Sequence, residues 1–200
     1  MNNILALVSG NGSNLQALID AQNRGELHGS KIAAVLSDRE GVYALQRARA
    51  AGIPAFTEKP NPGLPKPERR REISDRILRL CREKKIDIIV NAGFLSILTG
   101  DILEEYADRI INLHPALLPK FGGQGMYGMN VHRAVLAAGE SESGCTVHLV
   151  DSGIDTGEII LQRKVPVLPN DSPESLAERI QKEEHIAIVE AVKMMLEKLS

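Results

Sequence analysis

Aromatic residues are scarce in the 200-residue sequence, which contains no tryptophan, three tyrosines and three phenylalanines. Cysteine is scarcer still, and Cys81 and Cys145 are too few for a disulfide framework and lack the CxxC or Cys/His spacing of a zinc site. Long apolar runs are also missing, because the N-terminal run, 4–8, is far shorter than a signal-peptide core or a membrane span. The sequence therefore indicates a soluble protein of the reducing cytoplasm.

The chain has no large excess of charge of either sign. It carries 24 basic and 26 acidic residues, for a formal net charge of -2, whereas a general nucleic-acid binder needs a basic surface to neutralise phosphates. With 43% hydrophobic residues the chain can bury one sizeable core, and nothing requires a second domain. We therefore expect one domain over 1–200, acting as a monomer or a homodimer on small molecules rather than on nucleic acid or a membrane.

Apolar runs alternate with segments of helical spacing in the first half of the chain. The apolar runs cover 4–8, 31–36 and 86–90, and the helical segments cover 15–23, 43–51 and 68–84. Continuous apolar strands suit a sheet that is covered on both faces, and their alternation with helices is typical of parallel βαβ units. The pattern predicts an α/β fold with a doubly wound, mostly parallel sheet and helices on both faces.

The pattern changes after residue 114, where a glycine-rich loop begins. The predicted elements of this half are a helix over 131–138, two strands over 145–150 and 158–167 around a turn at 151–157, and one or two closing helices over 172–199. The two strands follow each other across a short turn, so they predict an antiparallel pair near the C-terminus.

A glycine-rich turn, GNGSN (10–14), directly follows the first predicted strand and opens the first helix. We expect Ser13 or Asn14 to cap that helix, whose free amide groups and positive dipole end would attract a phosphate. The alternative is a plain strand-to-helix turn. A dinucleotide fingerprint would need glycine where Leu15 stands, although Asp38 after the second strand could still be its ribose-binding acid. A monophosphate site is the preferred interpretation.

The motif INLHPALLP (111–119) combines an amide and an imidazole at the end of a strand. If 109–113 is a buried strand, its two-residue alternation puts Asn112 and His114 on the same face. Pro115 cannot donate to a sheet, so the strand should end there, and open α/β sheets bind ligands at the carboxyl ends of their strands. The pair is suited to holding a polarised carbonyl.

Glycines flank Asp155 in the segment 151–157, which predicts an irregular loop that could aim its carboxylate inward. A carboxylate beside His114 would raise the pKa of the imidazole and favour its protonated form, so that Asp155 would orient His114 and relay protons. The alternative is a solvated hairpin end. His148 lies on an alternating strand and is interpreted as a hydrogen-bonded structural histidine. No grouping of His, Asp and Glu has metal-ligand spacing, so we expect a metal-free site.

Further motifs connect these segments to a known family. They are VSGNGSNLQ (8–16), AGF (92–94), INLHPALLP (111–119), GCTVH (144–148), DTG (155–157), ILQ (160–162) and EH (184–185). In these motifs and their order the chain resembles the phosphoribosylglycinamide formyltransferases, the folate-dependent glycinamide ribonucleotide transformylases of purine biosynthesis. Methionyl-tRNA formyltransferases and formyltetrahydrofolate deformylases carry close variants of the central motif. The former have an RNA-binding barrel and the latter a regulatory domain, and we expect neither to fit in 200 residues.

The resemblance implies a formyl transfer from the co-substrate 10-formyltetrahydrofolate to the amine of glycinamide ribonucleotide. The catalytic residues that it implies are Asn112, His114 and Asp155. The residues expected around the nucleotide are Gly12, Ser13, Asn14, Arg70 or Arg71, Gln181 and Glu184. The residues expected around the folate are Asn91, Ala92, Phe94, Leu95, Leu98, Asn112, Val147 and Val150. Residues 1–100 would then form the phosphate- and nucleotide-binding half, and 101–200 the catalytic and folate-binding half.

Two positions depart from the family pattern. Many relatives have arginine where this chain has Ser96, so a contact to the folate would be missing or moved. Asn91 stands where an apolar residue is common, and it would either bind a ligand or cap a neighbouring loop. The loop 122–129 is rich enough in glycine to close over the site. A deformylase, a dinucleotide-binding oxidoreductase and a non-catalytic binding relative are the alternatives, although the last two would leave the catalytic residues without a role.

Overall fold

The computed structural model describes residues 1–199, in which seven strands form one sheet. The strands are β1 (Asn3–Val8), β2 (Lys31–Ser37), β3 (Ala55–Thr57), β4 (Ile88–Asn91), β5 (Ile110–His114), β6 (Glu142–Leu149) and β7 (Ile159–Pro166). Their order in the sheet is β3-β2-β1-β4-β5-β6-β7, with parallel pairing from β3 through β5 and antiparallel pairing from β5 through β7. The predicted doubly wound, mostly parallel sheet with an antiparallel pair near the C-terminus is confirmed.

The helices of residues 1–199 follow the predicted pattern with one addition, the short α4. They are α1 (Ser13–Asn23), α2 (Tyr43–Ala50), α3 (Lys66–Lys84), α4 (Asp101–Glu105), α5 (Met129–Ala137) and α6 (Pro173–Lys198). The closing segment is a single helix, which Ser172 caps by accepting a hydrogen bond from the N–H of Ser175. Within the described chain, no helix combines the length and apolarity that crossing a membrane requires.

The two faces of the sheet carry separate apolar clusters. Ile88 packs with α1 and α6 on one face, whereas its neighbour Ile89 packs with α3 on the other. The same two-residue alternation puts Asn91, at the end of β4, on the face that α3 covers. Asn112 and His114 of β5 lie on that face as well, as the alternation along the strand predicts. The polar ends of two strands therefore meet above one apolar cluster.

Helix α1 begins after Gly12, which corrects the expectation that Ser13 or Asn14 would cap it. Gly12 precedes the first turn with a φ of 78°, and no side chain caps the helix. A Cβ at Gly12 would lie 2.6 Å from the Cβ of Ala44, because the start of α1 packs against the start of α2. Glycine meets both constraints, the positive φ and the close approach. Ser13 and Asn14 therefore lie within the first helical turn.

A buried carboxylate ties the loop after β4 to the ends of β1 and β2. Asp38 is 6% exposed and accepts hydrogen bonds from the hydroxyls of Ser9, at 2.6 Å, and Ser96, at 2.7 Å. Ser9 Oγ in turn accepts from the backbone N–H of Leu95 at 2.8 Å. Asp38 is therefore satisfied inside the fold, which argues against the ribose-binding role that a dinucleotide site would give it. Ser96 serves here as the second donor to this carboxylate.

Asp38→Ala should lower the free energy of unfolding by about 1–3 kcal/mol, because both serine hydroxyls would lose their acceptor in a buried site. Urea denaturation of variant and wild type measures the difference. The control is Arg39→Ala, since Arg39 is exposed and such a surface change usually stays within about 0.5 kcal/mol. An Asp38→Ala protein as stable as the wild type would contradict the stabilising role of the network.

Candidate active site

A cleft of about 700 Å³ opens at the carboxyl ends of β4 and β5. Its walls are the loop after β4, the loop between β5 and α5, the turn between β6 and β7, and parts of α3 and α6. This is the edge at which open α/β sheets bind ligands. Across residues 1–199, no three side chains of His, Cys, Asp or Glu are grouped so as to hold a metal ion.

Three polar side chains form a row across β4, β5 and β6. Asn91 pairs in register with Asn112, and Asn112 with His148, so all three lie on the same face. The Asn112 Nδ2 group donates to His148 Nε2 at 3.1 Å and to Asp155 Oδ1 at 3.4 Å. His148 Nδ1 donates to the carbonyl of Leu149 at 2.7 Å, which leaves Nε2 of the neutral ring as the acceptor. The amide of Asn112 is thereby turned toward β6.

His114 ends β5 and has a neighbour at each ring nitrogen. Its side chain is 4% exposed, Nε2 donates to the carbonyl of Phe121 at 2.8 Å, and Nδ1 lies 3.5 Å from Asp155 Oδ2. A carbonyl can only accept, so Nε2 carries the proton of the neutral ring. Nδ1 then faces the carboxylate without a proton. Pro115 follows at once and ends the strand, as predicted.

The turn between β6 and β7 aims Asp155 into the cleft, as predicted. Asp155 has a φ of 59°, a left-handed conformation that Asp tolerates better than most residues, and its Oδ2 accepts from the N–H of Gly123 at 3.0 Å. Gly157 is required beside it, since a Cβ there would lie 1.9 Å from the carbonyl oxygen of Leu149. The Asp155 side chain is 12% exposed, so the alternative of a solvated hairpin end does not apply.

The cluster of Asp155, His114 and His148 lacks one proton for a complete hydrogen-bond network. Asp155 Oδ2 lies 3.5 Å from His114 Nδ1, and Asp155 Oδ1 lies 3.6 Å from His148 Nε2. Both nitrogens are acceptors in the neutral rings, because backbone carbonyls hold the ring protons on the opposite nitrogens. A proton added to His114 would lie between Nδ1 and the carboxylate. A proton added to His148 Nε2 would first have to displace the Asn112 amide, which donates to that nitrogen. The arrangement can therefore accept a proton and return it, as general acid–base catalysis requires.

The pKa of His114 differs from the expectation based on Asp155 alone. Burial lowers the pKa of His114, and the attraction of Asp155 and the hydrogen bond with Phe121 offset this effect in part. Burial acts to raise the pKa of Asp155, but the contacts with His148, Gly123 and His114 together lower it. At neutral pH the site therefore contains an ionised Asp155 and a neutral His114, rather than the protonated imidazole that we expected.

The first turn of α1 meets α6 at another part of the cleft. Asn14 Nδ2 donates to Glu184 Oε2 at 3.2 Å, and Gln181 Nε2 donates to Ser13 Oγ at 3.2 Å. Asn14 and Glu184 both line the cleft, so two motifs far apart in the sequence come together here. The first amide groups of α1 have no intrahelical partner and lie at the positive end of the helix dipole, which suits an anion. Burial raises the pKa of Glu184, against the hydrogen bond from Asn14.

The structure distinguishes the two arginines expected near the phosphate. Arg70 lines the cleft, whereas Arg71 pairs with Asp101 at 2.8 Å and does not line it. Of the two alternatives, Arg70 is therefore the one whose position suits a contact with a phosphate in the cleft. Successive residues of a helix point about 100° apart, so Arg71 points in a different direction from Arg70. Arg69 also lines the cleft, and sequence reasoning did not identify it.

Two residues expected around the folate do not line the cleft. Val147 and Ala92 are buried in the apolar cluster that packs with α1 and α6. Strand alternation puts Val147 on the opposite face from its neighbour His148, which is the residue of β6 that the cleft contains. The other expected residues line the cleft, namely Asn91, Phe94, Leu95, Leu98, Asn112 and Val150.

Two histidines that sequence reasoning set aside lie in the cleft. His148 contacts Asn112. Side chains alternate along β6, so the register of β6 against β5 would have placed His148 on the same face of the sheet as Asn112. His132 of α5 lines the cleft, and its Nδ1 is buried without a hydrogen-bond partner among residues 1–199. Burial lowers the pKa of His132, and repulsion from His114 lowers it further. No feature of the sequence distinguished His132.

A family model described as formyl transferase matches residues 2–192. The chain is 40% identical over 186 residues to phosphoribosylglycinamide formyltransferase from Escherichia coli (strain K12), a match that covers 92% of this chain and 82% of that protein. It is 43% identical over 196 residues to the trifunctional purine biosynthetic protein adenosine-3 from Drosophila melanogaster. This second match covers 96% of the chain but 14% of the relative, so the chain spans a small part of that protein's length.

Solved structures show the same similarity. Glycinamide ribonucleotide transformylase 1 from Symbiobacterium toebii matches with a TM-score of 0.88 and 37% sequence identity, over 99% of this chain and 89% of that chain. A match of this extent includes the start of α1, the end of β5 and the turn between β6 and β7. These are the segments that form the cleft.

Stability should fall as the pH drops below 6.5, the ordinary histidine value. The pKa values of His114 and His132 are lowered in the folded protein, so the unfolded chain binds more protons. Their contribution to the free energy of unfolding is complete above the histidine pKa of the unfolded chain. It is lost as the pH falls through the lower pKa values of the folded protein. Urea denaturation from about pH 7.5 to about pH 5 measures the slope. His132→Asn should make this dependence of stability on pH weaker. The control Ala137→Ser, at an exposed position of α5, should leave it unchanged. An unchanged pH dependence for His132→Asn would contradict this account.

Glu184→Gln should stabilise the folded protein at neutral pH. Because the pKa of Glu184 is raised in the folded protein, its contribution to stability is present below 4.5, the pKa in the unfolded chain. This contribution is lost as the pH rises through the pKa of the folded protein. Gln cannot ionise, and it could donate to Asn14 Oδ1, which is buried without a partner among residues 1–199. Urea denaturation at neutral and acidic pH should show an advantage that shrinks in acid. Glu178→Gln, at an exposed position of α6, is the control, and a Glu184→Gln protein less stable at neutral pH would contradict the prediction.

Proposed function

Because this chain belongs to the formyl transferase family, we propose that it transfers the formyl group of 10-formyltetrahydrofolate to the amine of glycinamide ribonucleotide. One cleft supports this reaction, because it combines an anion-binding helix terminus with a buried cluster of amide, imidazole and carboxylate. The first feature suits a nucleotide phosphate and the second suits acyl transfer. Relatives named for the same reaction are similar to most of the chain.

The nucleotide would bind with its phosphate at the start of α1. The amide groups that follow Gly12 are free to donate to an anion, and Arg70 would add a positive charge from the cleft wall. Gln181 and Glu184 of α6 would hold the ribose and the glycinamide part. The Glu184 carboxylate would also attract the ammonium form of the substrate amine before that amine loses its proton.

The folate would lie along the apolar part of the cleft. The side chains that would contact its flat bicyclic ring are Phe94, Leu95, Leu98 and Val150. Three of them, Phe94, Leu98 and Val150, belong to or pack against the apolar cluster under α3, and so they are held in place by the core. The formyl group of such a ligand would reach the row of polar side chains at the ends of β4 and β5.

The reaction would begin when the lone pair of the neutral amine attacks the formyl carbon. The carbonyl π electrons move to oxygen, and a tetrahedral intermediate with an oxyanion forms. Asn112 and His114 would donate to this oxyanion, and one well-placed donor can lower the activation free energy by about 3 kcal/mol. The Asn112 amide donates to His148 and Asp155 in the structure, so one of these bonds has to be exchanged for the bond to the oxyanion. His114 Nε2 donates to the Phe121 carbonyl in the structure, so this carbonyl has to move aside if Nε2 is the donor.

Collapse of the intermediate would break the bond between the formyl carbon and N10 of the folate. The amine loses one proton and N10 gains one, so a proton has to move between two nitrogens. The cluster of Asp155, His114 and His148 would take this proton between an imidazole and the carboxylate and return it to N10, directly or through water. The products would be formylglycinamide ribonucleotide and tetrahydrofolate, and the cluster returns to its starting protonation.

The main alternatives use less of the cleft. A deformylase would employ water as the nucleophile, and it would leave the α1 terminus, Arg70 and Glu184 without a substrate. A dinucleotide-dependent oxidoreductase would need a glycine where Leu15 stands and a free Asp38, whose carboxylate is bound by two serines. The nucleotide-binding end therefore favours the amine as the acceptor of the formyl group.

The proposal predicts that formyl loss requires both substrates. The ultraviolet absorbance change that accompanies loss of the formyl group from 10-formyltetrahydrofolate should appear when glycinamide ribonucleotide is present and not when it is omitted. His114→Ala and Asp155→Asn should each lower kcat by several orders of magnitude, because each removes part of the cluster that stabilises the oxyanion and moves the proton.

The control variant is His28→Ala, since His28 is exposed and does not line the cleft; it should keep normal turnover. Circular dichroism of each variant checks that the fold is intact. Near-normal turnover of His114→Ala or Asp155→Asn would contradict the mechanism. Formyl loss without the nucleotide would support a deformylase instead, and no loss under either condition would contradict both reactions.

A further inference from the structure

Asn91 is the last residue of β4, and it is 7% exposed. Its Oδ1 is buried and has no hydrogen-bond partner among residues 1–199, although Asn91 lines the cleft. Buried side-chain oxygens almost always accept a hydrogen bond. The sequence allowed two roles for Asn91, capping a neighbouring loop or binding a ligand. The first role would have given Oδ1 a backbone N–H, and the structure shows none.

Three donor groups next to Asn91 in the sheet or in the chain already have acceptors. The Asn112 amide, which lies next to Asn91 across the sheet, turns toward β6 and donates there. In the loop after β4, the N–H of Ala92 donates to a carbonyl of β1 at 2.9 Å, and the N–H of Leu95 donates to Ser9 Oγ at 2.8 Å. Within the described chain, no donor bonds to this oxygen, and a bound molecule could supply one.

The surroundings of Asn91 indicate what kind of molecule this is. Phe94, Leu98 and Val150 line the same cleft and belong to or pack against the apolar cluster under α3. A ligand here would combine a flat apolar body with an N–H group on its edge. Neighbouring strands are about 4.8 Å apart. An N–H group bound to Asn91 of β4 would therefore lie about this distance from ligand atoms bound to Asn112 of β5.

We propose that Asn91 Oδ1 accepts a hydrogen bond from a ring N–H of the reduced pterin of the formyl donor. This rests on the proposed function, which puts the formyl carbon beside Asn112. In 10-formyltetrahydrofolate the reduced ring is joined to N10 through one methylene group and carries N–H groups at positions 5 and 8, so a donor lies close to the formyl carbon. Asn91 thereby adds a hydrogen bond to the reduced ring, and an apolar side chain at this position could not make it.

Asn91→Leu tests this with two formyl donors that differ at the ring nitrogens. In 10-formyl-5,8-dideazafolate both nitrogens are replaced by carbon, so the N–H groups are absent. The ratio of kcat/KM for 10-formyltetrahydrofolate to that for the dideaza compound should fall about tenfold in Asn91→Leu, relative to the wild type. The change should lie in KM rather than in kcat, because Asn91 contacts the ring and not the reacting carbon.

Two further variants separate recognition from packing. Asn91→Asp keeps an acceptor oxygen at the same place and should retain the preference for 10-formyltetrahydrofolate. Leu98→Ile alters the apolar wall of the cleft without changing the acceptor, so it should weaken both donors alike. Asn91→Leu should be at least as stable to urea as the wild type, since it removes a buried oxygen that has no partner.

An unchanged ratio in Asn91→Leu would overturn the inference and leave the proposed function intact. If the wild type turns over neither donor, the proposed function fails. Calorimetric titration with tetrahydrofolate and 5,8-dideazafolate then tests Asn91 by itself. A preference for tetrahydrofolate that Asn91→Leu removes would support the hydrogen bond, and equal dissociation constants for the two ligands would contradict it.

Discussion

The geometry of the cleft depends on the half-buried, charged carboxylate of Asp155. An ionised group that is 12% exposed needs donors, and its donors come from different segments. Gly123 supplies a backbone N–H from the loop after β5, and Asn112 supplies an amide from the strand itself. These bonds hold the loop between β5 and α5 against the turn between β6 and β7. The conformation of two loops and the placement of the proposed catalytic residues therefore depend on the same group.

Some buried polar side chains are fully hydrogen-bonded and others are not. Asp38 is buried and bound by two serine hydroxyls, and it holds a loop in place. Along the cleft, by contrast, Asn14 Oδ1, Asn91 Oδ1 and His132 Nδ1 are buried without partners among residues 1–199. Each such atom costs stability in the free protein. Further unpartnered atoms lie outside the cleft, on Glu72, Ser143 and His185. Those in the cleft are at positions where a ligand could complete the network.

Local periodicity was sufficient for most of the fold and for the central pair of the site. Asn112 and His114 could be put on one face because alternation is a property of a single strand. The structure differs from the sequence-based expectations where the position of a residue depends on a contact between two segments. The choice between Val147 and His148 depends on the register of β6 against β5, and the cap at Gly12 depends on the start of α2. The direction of the His114 pKa depends on burial, which no local pattern gives.

The low pKa of His114 and the need for a protonated catalyst become compatible once the nucleophile is considered. Under the proposed reaction the amine enters as an ammonium ion and has to lose a proton before it can attack. The cluster of His114, His148 and Asp155 lacks one proton. Transfer of the proton to His114 would create the free amine and the imidazolium together. Because burial opposes the charge that Asp155 supports, this imidazolium would hold its proton weakly, which favours its later transfer to N10. The attacking nitrogen loses a second proton once it is bonded to the formyl carbon, and this proton would leave to solvent, so that the cluster returns to its starting protonation.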